Sequence, residues 1–197
     1  MFTGIIESVG LVERLEANQL NLSFWISSSL TDELKIDQSM SHNGVCLTIE
    51  ETKGQMHKVT AIAETIQKTN VADWEQGTII NLERCMLMNG RLDGHLVQGH
   101  VDTTAECIGI TEKEGSWEYI FCIDKKFSSL IIEKGSITLN GISLTIFNIS
   151  ESTFSVAIIP YTFNHTNMQF IKASSRVNIE FDIIGKYVNR LNQLEHI

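Results

Sequence analysis

The chain is poor in the features that mark several protein classes. It has one proline and 13 glycines in 197 residues, so it is neither a collagen-like repeat nor a low-complexity linker. Its four cysteines, Cys46, Cys85, Cys107 and Cys122, form no CxxC pair, which excludes zinc-ribbon and thioredoxin-like spacings. They are expected to be reduced thiols, most of them small core residues. No apolar run approaches the ~20 residues that span a bilayer. The opening MFTGIIESVG lacks the basic segment and long apolar stretch of a secretory signal. A soluble, cytoplasmic protein with no membrane partner is expected. Basic residues are also scarce: 15 Lys and Arg stand against 24 Asp and Glu, a formal charge of −9. Phosphate binding relies on clustered Lys and Arg, so no nucleic-acid partner is expected. His95 and His100 lie in GHLVQGH, but that spacing fits neither a zinc finger nor HExxH, and no suitable third ligand stands beside them. No metal site is expected.

What is present is a repeat. Residues 43–49 read NGVCLTI and residues 140–146 read NGISLTI, an offset of 97. The same offset, without gaps, pairs Ser39 with Ser136, Val59 with Val156, Ile62 with Ile159 and Thr65 with Thr162. It also pairs Thr69–Asn70 with Thr166–Asn167, Asn81 with Asn178 and Glu83 with Glu180. Between 39 and 83 this gives 13 identities in 45 positions, where composition alone would give about three. At an offset of 95, Gly4 pairs with Gly99, Ile6 with Val101 and Glu7 with Asp102. The period exceeds a solenoid unit of about 20–50 residues and suits a small domain. The chain therefore divides into copies at 1–90 and 91–184, with a tail at 185–197.

Each copy reads as β. Leu20, Leu22, Phe24 and Ile26 alternate with Asn21, Ser23 and Trp25, and Tyr119, Phe121 and Ile123 recur at the same spacing in the second copy, the period of a half-buried strand. Asn43-Gly44 and Asn140-Gly141 each sit between apolar runs, the strongest short hairpin signal. The stretches SSLTDELK and KKFSSLIIEK predict one short helix per copy, the first with a Ser29/Asp32 capping pair. Pro160 ends a strand at AIIP, where its missing N–H does least harm. About six strands per copy predict two small closed barrels without exposed edges. In the tail, Ile184, Val188, Leu191 and Leu194 recur at helical spacing. That amphipathic helix either pads its own barrel or pairs with copies of itself.

The segments MFTGIIE, NGVCLT, NLER, GHLVQGHVD, NGISLT, IIPYTFNHTN, VNIEFD and IGKYVNRL together resemble the riboflavin synthase family, in its order and spacing and over nearly the whole chain. The resemblance implies an all-β fold of two similar six-stranded Greek-key barrels followed by a C-terminal helix, assembled as a homotrimer. It implies no cofactor, and lumazine synthase is a candidate partner. The implied reaction is the dismutation of two 6,7-dimethyl-8-ribityllumazine molecules: a four-carbon unit passes between them, giving riboflavin and 5-amino-6-(ribitylamino)uracil. Two identical substrates need two similar pockets, which a duplicated chain supplies. The family sets the first barrel of one subunit against the second barrel of its neighbour.

By the same resemblance, His100 is the candidate acid or base, since an imidazole suits proton transfer near neutral pH. Cys46 and Ser143 occupy equivalent places, and either can attack carbon or hold an attacking water; from the sequence alone Cys46 also reads as a small strand-lining residue. Asp182 and Phe2 match further positions tied to activity, Phe2 as a cover for the site. Substrate contacts are implied for Ser39, Lys134, Leu47, Leu144, Thr48 and Thr145, the two threonines through their hydroxyls. The pocket walls are implied to be Gly4, Ile5 and Ile6; Thr60, Ala61, Ile62, Ala63, Glu64 and Thr65; Gly99, His100 and Val101; and Ile159, Pro160, Tyr161, Thr162, Phe163 and Asn164. Two positions depart from the family pattern. Tyr161 stands where relatives often carry a shorter polar or acidic residue, and Ala63 is small. A non-catalytic lumazine- or flavin-binding antenna protein is the nearest alternative, but the second-copy motifs GHVD and NGISLT are intact. A flavin-dependent reductase would need a nucleotide-binding βαβ unit, and the chain has no GxGxxG.

Overall fold

A computed structural model describes residues 1–195. The first copy contributes β1 (Ser8–Asn18), β2 (Asn21–Ser27), β3 (Ser39–His42), β4 (Val45–Thr48), β5 (Glu51–Lys53), β6 (Met56–Ala61), a short α1 (Ala63–Lys68) and β7 (Ile79–Arg84). The second contributes β8 (Thr103–Lys113), β9 (Ser116–Cys122), β10 (Ser136–Leu139), β11 (Ile142–Phe147), β12 (Thr153–Ile158), α2 (Pro160–His165) and β13 (Arg176–Phe181), and α3 (Ile183–Glu195) follows.

Both copies coil into barrels with the same strand connections. The second is a closed barrel in the order β10-β11-β12-β9-β8-β13. The first departs from the expected six strands: it is a seven-stranded sheet, β4-β3-β7-β1-β2-β6-β5. The strand equivalent to β11 ends as β4 at Thr48, and a further short strand, β5, follows Ile49–Glu50, where the second copy has none. β5 pairs with β6, and Ile49 and Glu50 keep backbone hydrogen bonds to Asp37, Gln38 and Lys58 across the join. Each barrel has its own core. Phe24, Ile26, Met40, Val59, Ile80 and Leu82 fill the first, and Phe121, Ile137, Phe154, Val156, Val177 and Ile179 the second. Burying each such side chain contributes about 1.5–3 kcal/mol.

Local readings fare unevenly. Asn43-Gly44 and Asn140-Gly141 form the tight turns joining β3 to β4 and β10 to β11, with positive φ at both residues of each pair, as a type I′ hairpin turn requires. Leu20 lies in the β1–β2 turn and is exposed, outside the strand its alternation suggested. The two expected helices are short 3₁₀ segments, Thr31–Glu33 and Lys125–Leu130. No Ser29/Asp32 cap forms: the first turn has no side-chain cap, and the Ser29 hydroxyl bonds that of Ser8 instead. Pro160 opens α2 at its first turn, where its fixed φ suits a helix start. The terminal helix begins at Ile183, two residues before the expected 185, and residues 196–197 lie outside the described residues.

The barrels meet across a pseudo-two-fold axis lined with asparagine. The amide of Asn81 donates to the Asn140 carbonyl at 2.9 Å, and that of Asn178 to the Asn43 carbonyl at 2.9 Å. The backbone N–H of Asn70 reaches the Asn178 side-chain oxygen at 2.7 Å, and that of Asn167 the Asn81 oxygen at 2.7 Å. All six asparagines are buried, and among the described residues no buried side-chain polar atom lacks a partner. At the axis the two turn glycines touch: a Cβ on Gly44 would lie 2.8 Å from the Gly141 nitrogen. The chain segments leading into the barrels also pair with each other, through an antiparallel bridge between Phe2 and Val97.

The cores differ at one place. His42 and His57, which pair in the repeat with Leu139 and Phe154, are fully buried with their Nε2 atoms 2.9 Å apart. The Nδ1–H of His42 donates to the Met40 carbonyl at 3.0 Å, so its Nε2 accepts from His57. Burial, reinforced by His57, holds His42 well below its ordinary pKa, and burial lowers His57 to about 4. Both rings fold neutral, so the unfolded chain binds more protons in acid. The pair's contribution is therefore fully present above the ordinary value of 6.5 and is lost as pH falls towards 4. Replacing the pair by its second-barrel equivalents, His42→Leu with His57→Phe, is expected to flatten the loss of stability over that window. Urea midpoints at a series of pH values measure it; an unchanged slope would place the acid sensitivity elsewhere.

Candidate functional site

The repeat builds two half-sites, and in each the wall of one barrel is completed by the leader of the other copy. In the first, Cys46 on β4 donates its backbone N–H to the carbonyl of Gly99 at 2.8 Å. In the second, Ser143 on β11 donates in the same way to Gly4 at 2.8 Å. The approach is close enough to demand glycine. A Cβ on Gly99 would lie 2.7 Å from that of Cys46, and one on Gly4 2.6 Å from that of Ser143; both glycines have positive φ. The crossing continues inward, where Ile6 packs on the second core and Val101 on the first.

Two buried carboxylates hold these leaders. Glu83 at the end of β7 accepts from the Thr3 N–H at 2.6 Å, the Thr3 hydroxyl at 2.7 Å and the Gly4 N–H at 3.0 Å. Its counterpart Glu180 on β13 accepts from the N–H groups of Gln98, Gly99 and His100 at 2.7, 2.8 and 2.9 Å. Burial raises both carboxyl pKa values, and these hydrogen bonds oppose the rise. Glu83 and Glu180 were visible in the sequence only as a repeat identity.

The first half-site therefore gathers Gly99, His100 and Val101 beside Cys46, with Thr48 two residues on along the same strand face and Ser39 on the adjoining β3. His100 is solvent-exposed, as is Thr48, and Leu47 points into the core. Thr60 shares a 2.8 Å hydroxyl contact with Ser23. Ala61 belongs to the core, whereas Ile62, Ala63, Glu64 and Thr65 form the β6–α1 corner. Glu64 is paired to Lys68 across one helical turn at 2.8 Å. A cleft of about 790 Å³ adjoins this half-site, reaching Ile5 and Ser39 among residues that include Arg84, Cys85 and Arg91.

The second half-site gathers Gly4, Ile5 and Ile6 against Ser143, Leu144 and Thr145. Ile159 through Asn164 form the β12–α2 corner. Phe163 stacks on Trp117 with ring centroids 3.8 Å apart, and Tyr161, 70% exposed, lies over His165. Lys134 sits in the turn before β10, its ammonium 5.5 Å from the Phe147 ring; Phe147 follows Ser143 and Thr145 on the same face of β11.

Three placements differ from the sequence reading or add to it. Phe2 is fully buried, with its ring packed against the Gly99 leader. Asp182 accepts the Ile184 N–H at 2.9 Å, capping α3, and its charge also acts on His95. His95, weighed in the sequence only as a metal ligand, is buried with Nδ1 2.7 Å from the Ser143 hydroxyl and Nε2 3.1 Å from that of Thr138. Burial lowers its pKa against the opposing pull of Asp182, so the ring is neutral at neutral pH. With the proton on Nε2, Nδ1 accepts from Ser143, the arrangement that activates a hydroxyl. No sequence signal pointed to this contact: 48 residues separate the partners, which meet within the second copy. The described residues contain no cluster of three or more His, Cys, Asp or Glu placed to hold a metal, and no helix among them is long and apolar enough to cross a membrane.

The sequence matches the lumazine binding domain family twice, over residues 3–85 and 98–182. It is 39% identical to the riboflavin synthase of Bacillus subtilis, over 96% of this chain and 89% of that one. The riboflavin synthase of Saccharomyces cerevisiae is 35% identical over 96% and 85%, and that of Mycobacterium tuberculosis 36% over 97% and 98%. The chain belongs to the riboflavin synthase family. Its fold is also that of LumP, crystallised with riboflavin (TM-score 0.87) and with 6,7-dimethyl-8-(1'-D-ribityl) lumazine (TM-score 0.84). Each comparison covers 92% of this chain and 99% of LumP at 23% identity.

In this family setting Cys46 is a protonated thiol. Burial raises its pKa, and a hydrogen bond with Ser39 only partly offsets the rise. Iodoacetamide at pH 8 is expected to label exposed Cys85 first and Cys46 about tenfold more slowly, as a thiol short of thiolate should react. Peptide mass spectrometry reads both sites, and rapid alkylation of Cys46 would reveal an activated thiolate.

Proposed function

We propose that the chain is a riboflavin synthase that dismutates two molecules of 6,7-dimethyl-8-ribityllumazine, passing a four-carbon unit from one to the other and releasing riboflavin and 5-amino-6-(ribitylamino)uracil. The observation that carries this reading is the pair of crossed half-sites, built alike but armed differently. Cys46 faces one and Ser143 the other, and His100 occupies the place that Ile5 takes in the second. Such a pair can bind one ligand twice and treat the two copies as donor and acceptor.

One lumazine must lose a proton from its ring methyl at position 7, where the resulting charge spreads into the ring. His100 is the base we assign to that step, with its backbone fixed by Glu180. Ser143, hydrogen-bonded to neutral His95, is the second-pocket hydroxyl that attacks carbon or positions water. Thr48 and Thr145 offer hydroxyls to the ring edges. Holding two rings in contact makes the encounter effectively unimolecular, worth up to about 7–11 kcal/mol.

The facing pockets come from different subunits in this reading. Helix α3 supports it: Ile184, Tyr187, Val188, Leu191 and Leu194 are all exposed, an apolar stripe left for a neighbour. We assign α3 as the clamp of a homotrimer. A binding-only reading draws on the likeness to LumP, which was crystallised with lumazine and flavin ligands.

Incubation with the lumazine alone, without metal, flavin or nicotinamide, is expected to yield one riboflavin for every two substrates consumed, followed by absorbance and chromatography. Binding without turnover would favour the antenna-type reading, and any other ratio would contradict dismutation. Deleting residues 185–197 is expected to shift sedimentation from trimer to smaller species. A truncated chain that remains trimeric would rule out α3 as the main clamp.

A further inference from the structure

The two leaders are exchanged, and the carboxylates that hold them are exchanged with them. We infer that Glu83 and Glu180 are positioning residues acting crosswise, each setting the geometry of the pocket on the opposite barrel. Glu180 grows from β13 of the second barrel, yet the segment it grips, 98–100, lies against Cys46 of the first. Glu83 grows from β7 of the first barrel, yet the segment it grips, 3–4, lies against Ser143 of the second.

The geometry is that of a ligand cage turned inward. Each carboxylate is almost completely buried, 3% exposed for Glu83 and 2% for Glu180. Each accepts three hydrogen bonds of 2.6–3.0 Å, all from its leader. Bonds to an ionised acceptor are about twice as strong as neutral ones, so the leader's position is dictated by the carboxylate. The gripped glycine itself passes the constraint across the seam, through the bond from Cys46 N–H to the Gly99 carbonyl or from Ser143 N–H to the Gly4 carbonyl. Because the carboxylate touches only the leader's backbone and the Thr3 hydroxyl, its effect on the pocket is purely one of placement. For Glu180 the placed group includes His100 itself.

The arrangement makes a prediction that an ordinary stabilising residue would not. In Glu180→Gln, an amide replaces one acceptor oxygen, so amide hydrogen exchange should quicken over 98–100 and over the peptide spanning Cys46, in the opposite barrel. In Glu83→Gln it should quicken over 3–4 and over the peptide spanning Ser143. Riboflavin titration of the assembled protein, followed by flavin fluorescence, should show one class of site weakened in each variant and both in the double variant. Turnover should fall about 10–100-fold, the cost of a displacement near 1 Å. Should either Gln variant fail to fold, the Asp variant, one methylene short, provides the same readouts.

Faster exchange confined to the barrel that carries the substitution, or equal weakening of both sites by either single variant, would overturn the inference. It rests on the proposed reaction for its turnover arm alone. A wild-type protein that bound riboflavin but made none would sink that reaction while leaving the exchange pattern to decide the crossing.

Discussion

The buried asparagine seam is the constraint on which the rest of the molecule depends. Amide groups taken out of water cost free energy unless every donor and acceptor is matched, and a missing partner costs about 1–3 kcal/mol. Here Asn167 of the second copy joins Asn43 and Asn81 of the first, and Asn70 of the first joins Asn140 and Asn178 of the second, so that the barrels fit in one relative orientation. An apolar interface of the same area would tolerate sliding; this one does not, because a shift of one residue would strand several buried amides. Once the orientation is fixed, the leaders have only one route, and that route lays each across the neighbouring barrel.

This explains which residues the repeat keeps. Asn43, Asn70, Asn81, Glu83 and Gly44 are identical to their counterparts, and all five serve the seam or the leaders. Within the half-sites the repeat keeps Gly4 and Thr48 as Gly99 and Thr145, and diverges at Cys46 against Ser143 and at Ile5 against His100. Shared residues join the halves and shape like pockets, and the diverged ones are where reaction roles separate.

Much of the architecture was legible in the chain. The Asn-Gly turns announced themselves, because no other common dipeptide takes two successive positive φ values so readily, and strand alternation marked the cores. The seventh strand of the first sheet was not legible, since nothing in Glu51–Lys53 alternates in a way that its counterpart at 148–150 does not. Nor was the Ser29/Asp32 cap reliable, as a 3₁₀ turn of three residues offers too few free N–H groups to reward one. At the site, Cys46 and Ser143 stood out by their equivalence, and Gly4 and Gly99 by theirs. The partnership of His95 with Ser143 stayed hidden because it crosses between segments that no local pattern links. The burial of Phe2 was not legible either, because it follows from the pairing of the first leader with Val97.

The exchange of leaders makes each pocket the joint property of both copies. Cut at the seam, one half of the chain keeps Cys46 without Gly99 and the other keeps Ser143 without Gly4. A copy standing alone would have an unfinished wall, so duplication supplies the missing piece of the first pocket as well as a second one.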